Sequence, residues 1–123
     1  MTARRVVAVV PDLFFATRIA GTAERLGVAL EMPAPAAALE TIRRAPPDLV
    51  ILDLHAPGDP LALAHALRAD VATRSIHLIG FYSHLDHRLR EAALAAGLDQ
   101  VLPRSAFTVG LPALLTGKGD TGS

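Results

Sequence analysis

Two hydrophobic periods alternate along this chain. Arg5 to Val10 is a β-branched run and reads as a strand, and Val28 to Met32, Asp48 to Leu54, Ile76 to Phe81 and Gln100 to Leu102 read as four more. Between them the apolar residues recur at helical spacing. Phe15, Ile19, Ala23 and Leu26 share one face of a helix over 13–26, which Asp12 can cap and Gly27 ends. Pro33 and Pro35 open a second helix over 36–44 that Pro46 and Pro47 stop. The alanine- and leucine-rich stretch from Leu61 to Asp70 predicts a third. Leu85, Leu89, Ala92 or Ala93, and Ala96 line a fourth, terminated by Gly97. Residues 110–116 predict at best a short last helix, and 117–123, which hold no apolar side chain, predict a disordered tail.

The stretch Asp48-Leu49-Val50-Ile51-Leu52-Asp53-Leu54 organises the rest. An unbroken apolar run bounded by Pro46-Pro47 and Pro57-Gly58 reads as a strand covered on both faces, as in the middle of a parallel sheet. Five strand–helix units in alternation predict an α/β fold, a five-stranded doubly wound parallel sheet with helices on both faces. The natural strand order is the flavodoxin-like 2-1-3-4-5, within a single domain over residues 1–116.

Composition narrows the setting. Lys and Arg number 12 against 12 Asp and Glu, a formal net charge of zero, so no basic excess marks a nucleic-acid binder or a lipid-surface protein. The chain has no cysteine, which excludes disulfides, thiolate metal sites and cysteine nucleophiles and fits a reducing compartment. The run from Val6 to Val10 is too short for a signal-peptide core, and nothing approaches the ~20 apolar residues of a membrane span. A cytoplasmic, soluble chain is expected.

Chemistry collects at the strand ends. Asp53 closes the central strand, and a charged group is costly inside a core, so it should emerge where the strand stops. The predicted order sets the first and third strands side by side, which brings Asp12 and Asp53 to one end of the sheet. Two adjacent carboxylates repel at neutral pH unless one binds a proton or a cation joins them. A hard divalent cation, Mg²⁺ foremost, suits two carboxylates and a backbone carbonyl.

The order of these features resembles the receiver domain of two-component response regulators, over Arg4 to about Leu115. Val6-Val7-Ala8-Val9-Val10-Pro11-Asp12 stands where receivers have an apolar strand and an acidic pair. Asp48 to Gly58 is similar to the phosphoacceptor strand and its Pro-Gly loop. Ala92-Ala93-Leu94-Ala95-Ala96-Gly97-Leu98-Asp99, followed by Val101-Leu102-Pro103-Arg104, is similar to the fourth helix and the strand that ends in Leu-Pro-Lys. The resemblance implies that Asp53 is the phosphoacceptor, taking a phosphoryl group from a phosphohistidine on a histidine kinase or phosphotransfer protein. Asp12, Asp53 and the His55 backbone carbonyl would then be the Mg²⁺ ligands, with Arg104 at the lysine site. It also implies a homodimer as one outcome, through the face of the fourth and fifth helices and the fifth strand, although a short last helix counts against its usual form.

The departures point to an atypical or pseudo-receiver. Receivers have two acids after the first strand, and the first is replaced here by Pro11, which supplies neither charge nor a water-holding carboxylate. Arg104 keeps the charge of the usual lysine in a planar, longer head of different geometry. The Thr/Ser site on the fourth strand falls on Tyr82 when counted from Gly97 and on Ser83 when counted from Asp53. The aromatic switch position is Val101. His84 and His87, with Asp86 between them, fall short of the three or four ligands a zinc site needs.

No dinucleotide-binding glycine pattern, phosphate-binding loop or nucleophile elbow is present, and no catalysis on an external substrate is expected. Two functions remain: a stand-alone receiver phosphorylated on Asp53 that changes its affinity for a protein partner, and a phosphorylation-independent interaction module.

Overall fold

Every predicted strand becomes one strand of a single parallel sheet, because each β-branched run is followed by a helix long enough to return the chain to the same edge. The computed structural model of the protein describes residues 4–83 and 87–117. The elements are β1 (Arg5–Val9), α1 (Leu13–Leu26), β2 (Ala29–Glu31), α2 (Pro35–Arg44), β3 (Leu49–Asp53), α3 (Pro60–Ala69), β4 (His77–Tyr82), α4 (His87–Ala95), β5 (Gln100–Pro103) and α5 (Arg104–Thr116). The strand order is β2-β1-β3-β4-β5, as the alternation predicts. Leu85, at the predicted start of the fourth helix, lies outside the described residues, as do His84, Asp86 and residues 118–123.

The sheet separates two apolar layers. Phe15, Ile19 and Ala23 of α1 and Phe107, Leu111, Leu114 and Leu115 of α5 pack on one face, against Val6, Ala8, Leu49, Ile51, Ile79 and Phe81. On the other face α2, α3 and α4 cover Val7, Val9, Val50, Leu52 and Leu78. All five residues of β3 are buried, which is why that strand reads as an unbroken apolar run and not as an alternating one. Helix ends follow local chemistry: Asp12 and Asp59 cap α1 and α3, Gly27 closes α1 at φ 70°, and Pro35 and Pro60 take the first helical positions.

The last helix is a correction. Instead of at best a short helix over 110–116, α5 runs for 13 residues from Arg104. Gly110 has low helix propensity, and Pro112 removes one backbone donor from the helix interior. Burial of Phe107, Leu111, Leu114 and Leu115, spaced as one helical face, outweighs that loss. Gly117, expected in the tail, is the left-handed cap of this helix. Among the described residues no helix is long and apolar enough to cross a membrane.

Candidate functional site

The carboxyl ends of β1, β3, β4 and β5 meet at one rim of the sheet. Register fixes the neighbours: Val9 pairs with Leu52, Asp53 with Phe81, and Tyr82 with Pro103. Asp53, the last residue of β3, is held almost wholly inside at 6% exposure. One of its oxygens, Oδ1, accepts the His55 amide at 2.9 Å, and its carbonyl accepts the Ala56 amide at 3.0 Å. The loop after β3 therefore folds back on the strand end, leaving the His55 side chain exposed.

Asp12 stands at the end of the neighbouring strand, as the topology predicts, and one of its oxygens is used as a helix cap. Oδ1 accepts the amides of Phe14 at 2.9 Å and Phe15 at 3.2 Å, closing the first turn of α1. Oδ2 lies 3.9 Å from the Arg104 guanidinium. That guanidinium lies over the Phe15 ring, 4.2 Å from its centroid, a cation–π contact. The ring in turn stacks on Phe81 at 5.3 Å, and Phe81 on Phe107 at 4.5 Å. Arg104 begins α5 and Phe15 lies in α1, so the packing of these two helices turns the cation toward Asp12. Among the described residues no cation stands within ion-pair distance of Asp53.

A cleft of about 530 Å³ opens over Asp53, walled by Pro11, Pro35, Leu52, Pro57, Pro60 and Leu63 among others. Neither Asp12 nor Arg104 lines it. Tyr82 is buried in the layer of α2, α3 and α4, and Ser83 is exposed just past the strand; neither hydroxyl lines the cleft. Val101 is buried opposite Gly80.

This rim offers Mg²⁺ two carboxylates, Asp12 and Asp53, and one of them already caps a helix. Mg²⁺ demands near-octahedral oxygen ligation at about 2.0–2.1 Å. Among the described residues no group of three or more acidic, histidine or cysteine side chains converges to hold a metal. Pro11 supplies no ligand, and Asp12 is engaged by α1 and Arg104. Of the expected ligand set of Asp12, Asp53 and the His55 carbonyl, the topology juxtaposes the strand ends that carry the two carboxylates, and Oδ1 of Asp12 serves as the cap of α1. Sequence reasoning missed Phe15 as the residue that positions Arg104. The signal was an aromatic three residues after the cap, on the buried face of the first helix.

No family model matches the sequence, and no curated protein is detectably similar to it. Solved structures do match. The chemotaxis response regulator CheY4 of Vibrio cholerae aligns with a TM-score of 0.83 at 18% identity, covering 95% of this chain and 99% of that one. The signal receiver domain of NarL from Mycobacterium tuberculosis gives 0.80 at 22% identity over the whole of both chains. A response regulator from Thermotoga maritima gives 0.78 at 16% identity, covering 95% and 98%. At these identities the likeness is one of fold: the chain has the response-regulator receiver fold.

Proposed function

We propose that this receiver-fold chain is a signalling module that acts through protein–protein contact, and that it does so without phosphoryl transfer to Asp53. The observation that carries this reading is the pairing of Arg104 with Asp12 and Phe15. Phosphoryl transfer to a carboxylate needs cations beside the developing charge, and the cation at the lysine position is held elsewhere while the acid pair is reduced to a capping aspartate. A cytoplasmic location and a protein partner belong to the same reading, with no role in nucleic-acid or membrane binding and no catalysis on an external substrate. The full-length α5 removes the objection that a short last helix raised, so a second copy of the chain is an admissible partner through α4, β5 and α5.

A second reading keeps Asp53 as the phosphoacceptor of a histidine kinase or phosphotransfer protein, with Mg²⁺ recruited at the time of reaction. Its support is the position of Asp53 at the end of the central strand, on the floor of an open cleft. Incubation with acetyl phosphate and Mg²⁺, followed by intact-mass spectrometry, separates the two. The first reading expects no phosphoryl adduct, and no amide shifts around Asp53 on adding Mg²⁺ and beryllofluoride. An adduct that disappears in Asp53→Asn would overturn it in favour of the second.

A further inference from the structure

The cleft over Asp53 has the size of a small-molecule site, roughly 300–1,000 Å³ in other proteins. Four of its wall residues, Pro11, Pro35, Pro57 and Pro60, are prolines, and their fixed φ gives walls that lose little freedom when something settles between them. Leu52 and Leu63 complete an apolar lining. Among the described residues the only charged side chains on the lining are Asp53 and Asp59. Asp59 is engaged, its Oδ1 accepting the Ala62 amide at 3.0 Å at the start of α3.

Asp53 differs. It is a carboxylate at 6% exposure in apolar surroundings, with one hydrogen bond among the described residues, from the His55 amide. Burying a charge costs free energy unless a counter-charge or further donors meet it. The protein's own candidate, Arg104, lies over the Phe15 ring on the Asp12 side, its guanidinium 3.9 Å from Asp12.

We propose that this cleft binds a small organic cation, a primary ammonium on an apolar body, with the ammonium paired to Asp53 and the body against the proline walls. Among the described residues an anion would meet two carboxylates and no lining cation. The start of α2 borders the cleft without a side-chain cap, since Ala34 offers none, and is the one wall feature that favours negative charge. A carboxylate therefore belongs in the test. The proposal does not depend on the protein-partner reading, because binding is measured on the chain alone and without a phosphodonor.

The experiment is an amide NMR titration of the full chain with phenethylamine, phenethyl alcohol and hydrocinnamate, three ligands that share the apolar body. Saturable shifts centred on Asp53, Ala56 and Leu63 are expected for the amine, with affinity about tenfold or more above the alcohol, the worth of one charged hydrogen bond. The carboxylate should be weakest. Asp53→Asn, which preserves shape, should bring the amine down to the alcohol's affinity. Ala34→Trp, an exposed substitution at the cleft rim, should block the amine while Asp53 remains in place. Equal binding of amine and alcohol, tighter binding of the carboxylate, unchanged amine affinity in either variant, or no saturable shift with the amine would each overturn the proposal.

Discussion

Gly80→Ala is expected to destabilise the protein by about 2 kcal/mol and to disturb the strand end that carries Asp53. Gly80 sits in β4, opposite Leu52 on one side and Val101 on the other. A Cβ added there would run into Cδ2 of Leu98 and stand 3.0 Å from Cδ2 and 3.1 Å from Cγ of Leu54. Carbon atoms prefer about 3.5–4.0 Å. Neither leucine can swing into solvent, since Leu98 is 4% and Leu54 6% exposed. Overpacking of this kind costs about 1–3 kcal/mol, and two confined neighbours place Gly80 near the upper end. Alanine recovers about 0.5–1 kcal/mol by restricting the unfolded chain, which leaves the net value near 2.

The assay is urea unfolding, read as a lower midpoint at unchanged slope. A double-mutant cycle with Leu98→Ala isolates the cause. Leu98→Ala alone should cost about 2–4 kcal/mol by leaving a cavity. The double variant should be about 1 kcal/mol or more better than the sum, because the alanine methyl then occupies vacated space. The link to the site is Leu54, which follows Asp53 and donates its amide to Phe81 at 3.0 Å. Displacing it should shift the amides of Asp53 and His55 in the single variant. A neutral Gly80→Ala, or strict additivity in the cycle, would refute the steric argument.

Two further predictions rest on other elements. Arg68 donates to the carbonyls of Gly97, Arg74 and Ile76 at 2.9, 2.6 and 2.7 Å and pairs with Asp99 at 2.8 Å, so Arg68→Met, which keeps the apolar stem, should cost about 2–3 kcal/mol in the same urea assay. A loss below about 0.5 kcal/mol would mean that water replaces these bonds freely. Asp12→Ala should cost about 1 kcal/mol through the lost cap of α1, with little more from the half-exposed pair with Arg104, and hydrogen exchange at Phe14 and Phe15 should quicken while that of β3 holds. Protection unchanged at those two amides would show that the cap is dispensable.

Where local chemistry decides the outcome, the sequence is sufficient. The apolar run from Leu49 to Leu52 announces a central strand because burial on both faces removes the need for alternation. The caps at Asp12 and Gly27 and the proline that opens the second helix act within a few residues of themselves. Strand order follows because right-handed crossovers leave few alternatives, and with it the placing of Asp12 and Asp53 at adjacent strand ends. The length of α5 lies between the two cases. The spacing of Phe107, Leu111, Leu114 and Leu115 was visible, yet whether their burial outweighs Gly110 and Pro112 depends on the sheet face that receives them.

The state of the site was decided only in three dimensions. A sequence can place a cation after β5 and a carboxylate after β3, but it cannot say which carboxylate the cation meets. Arg104 meets Asp12 because α5 packs beside α1 and the Phe15 ring offers its face to the guanidinium. The same arrangement leaves Asp53, among the described residues, with a single amide donor beneath a proline-walled cleft. Side-chain partners are set by the angles and distances between packed elements, and these come from the whole core at once.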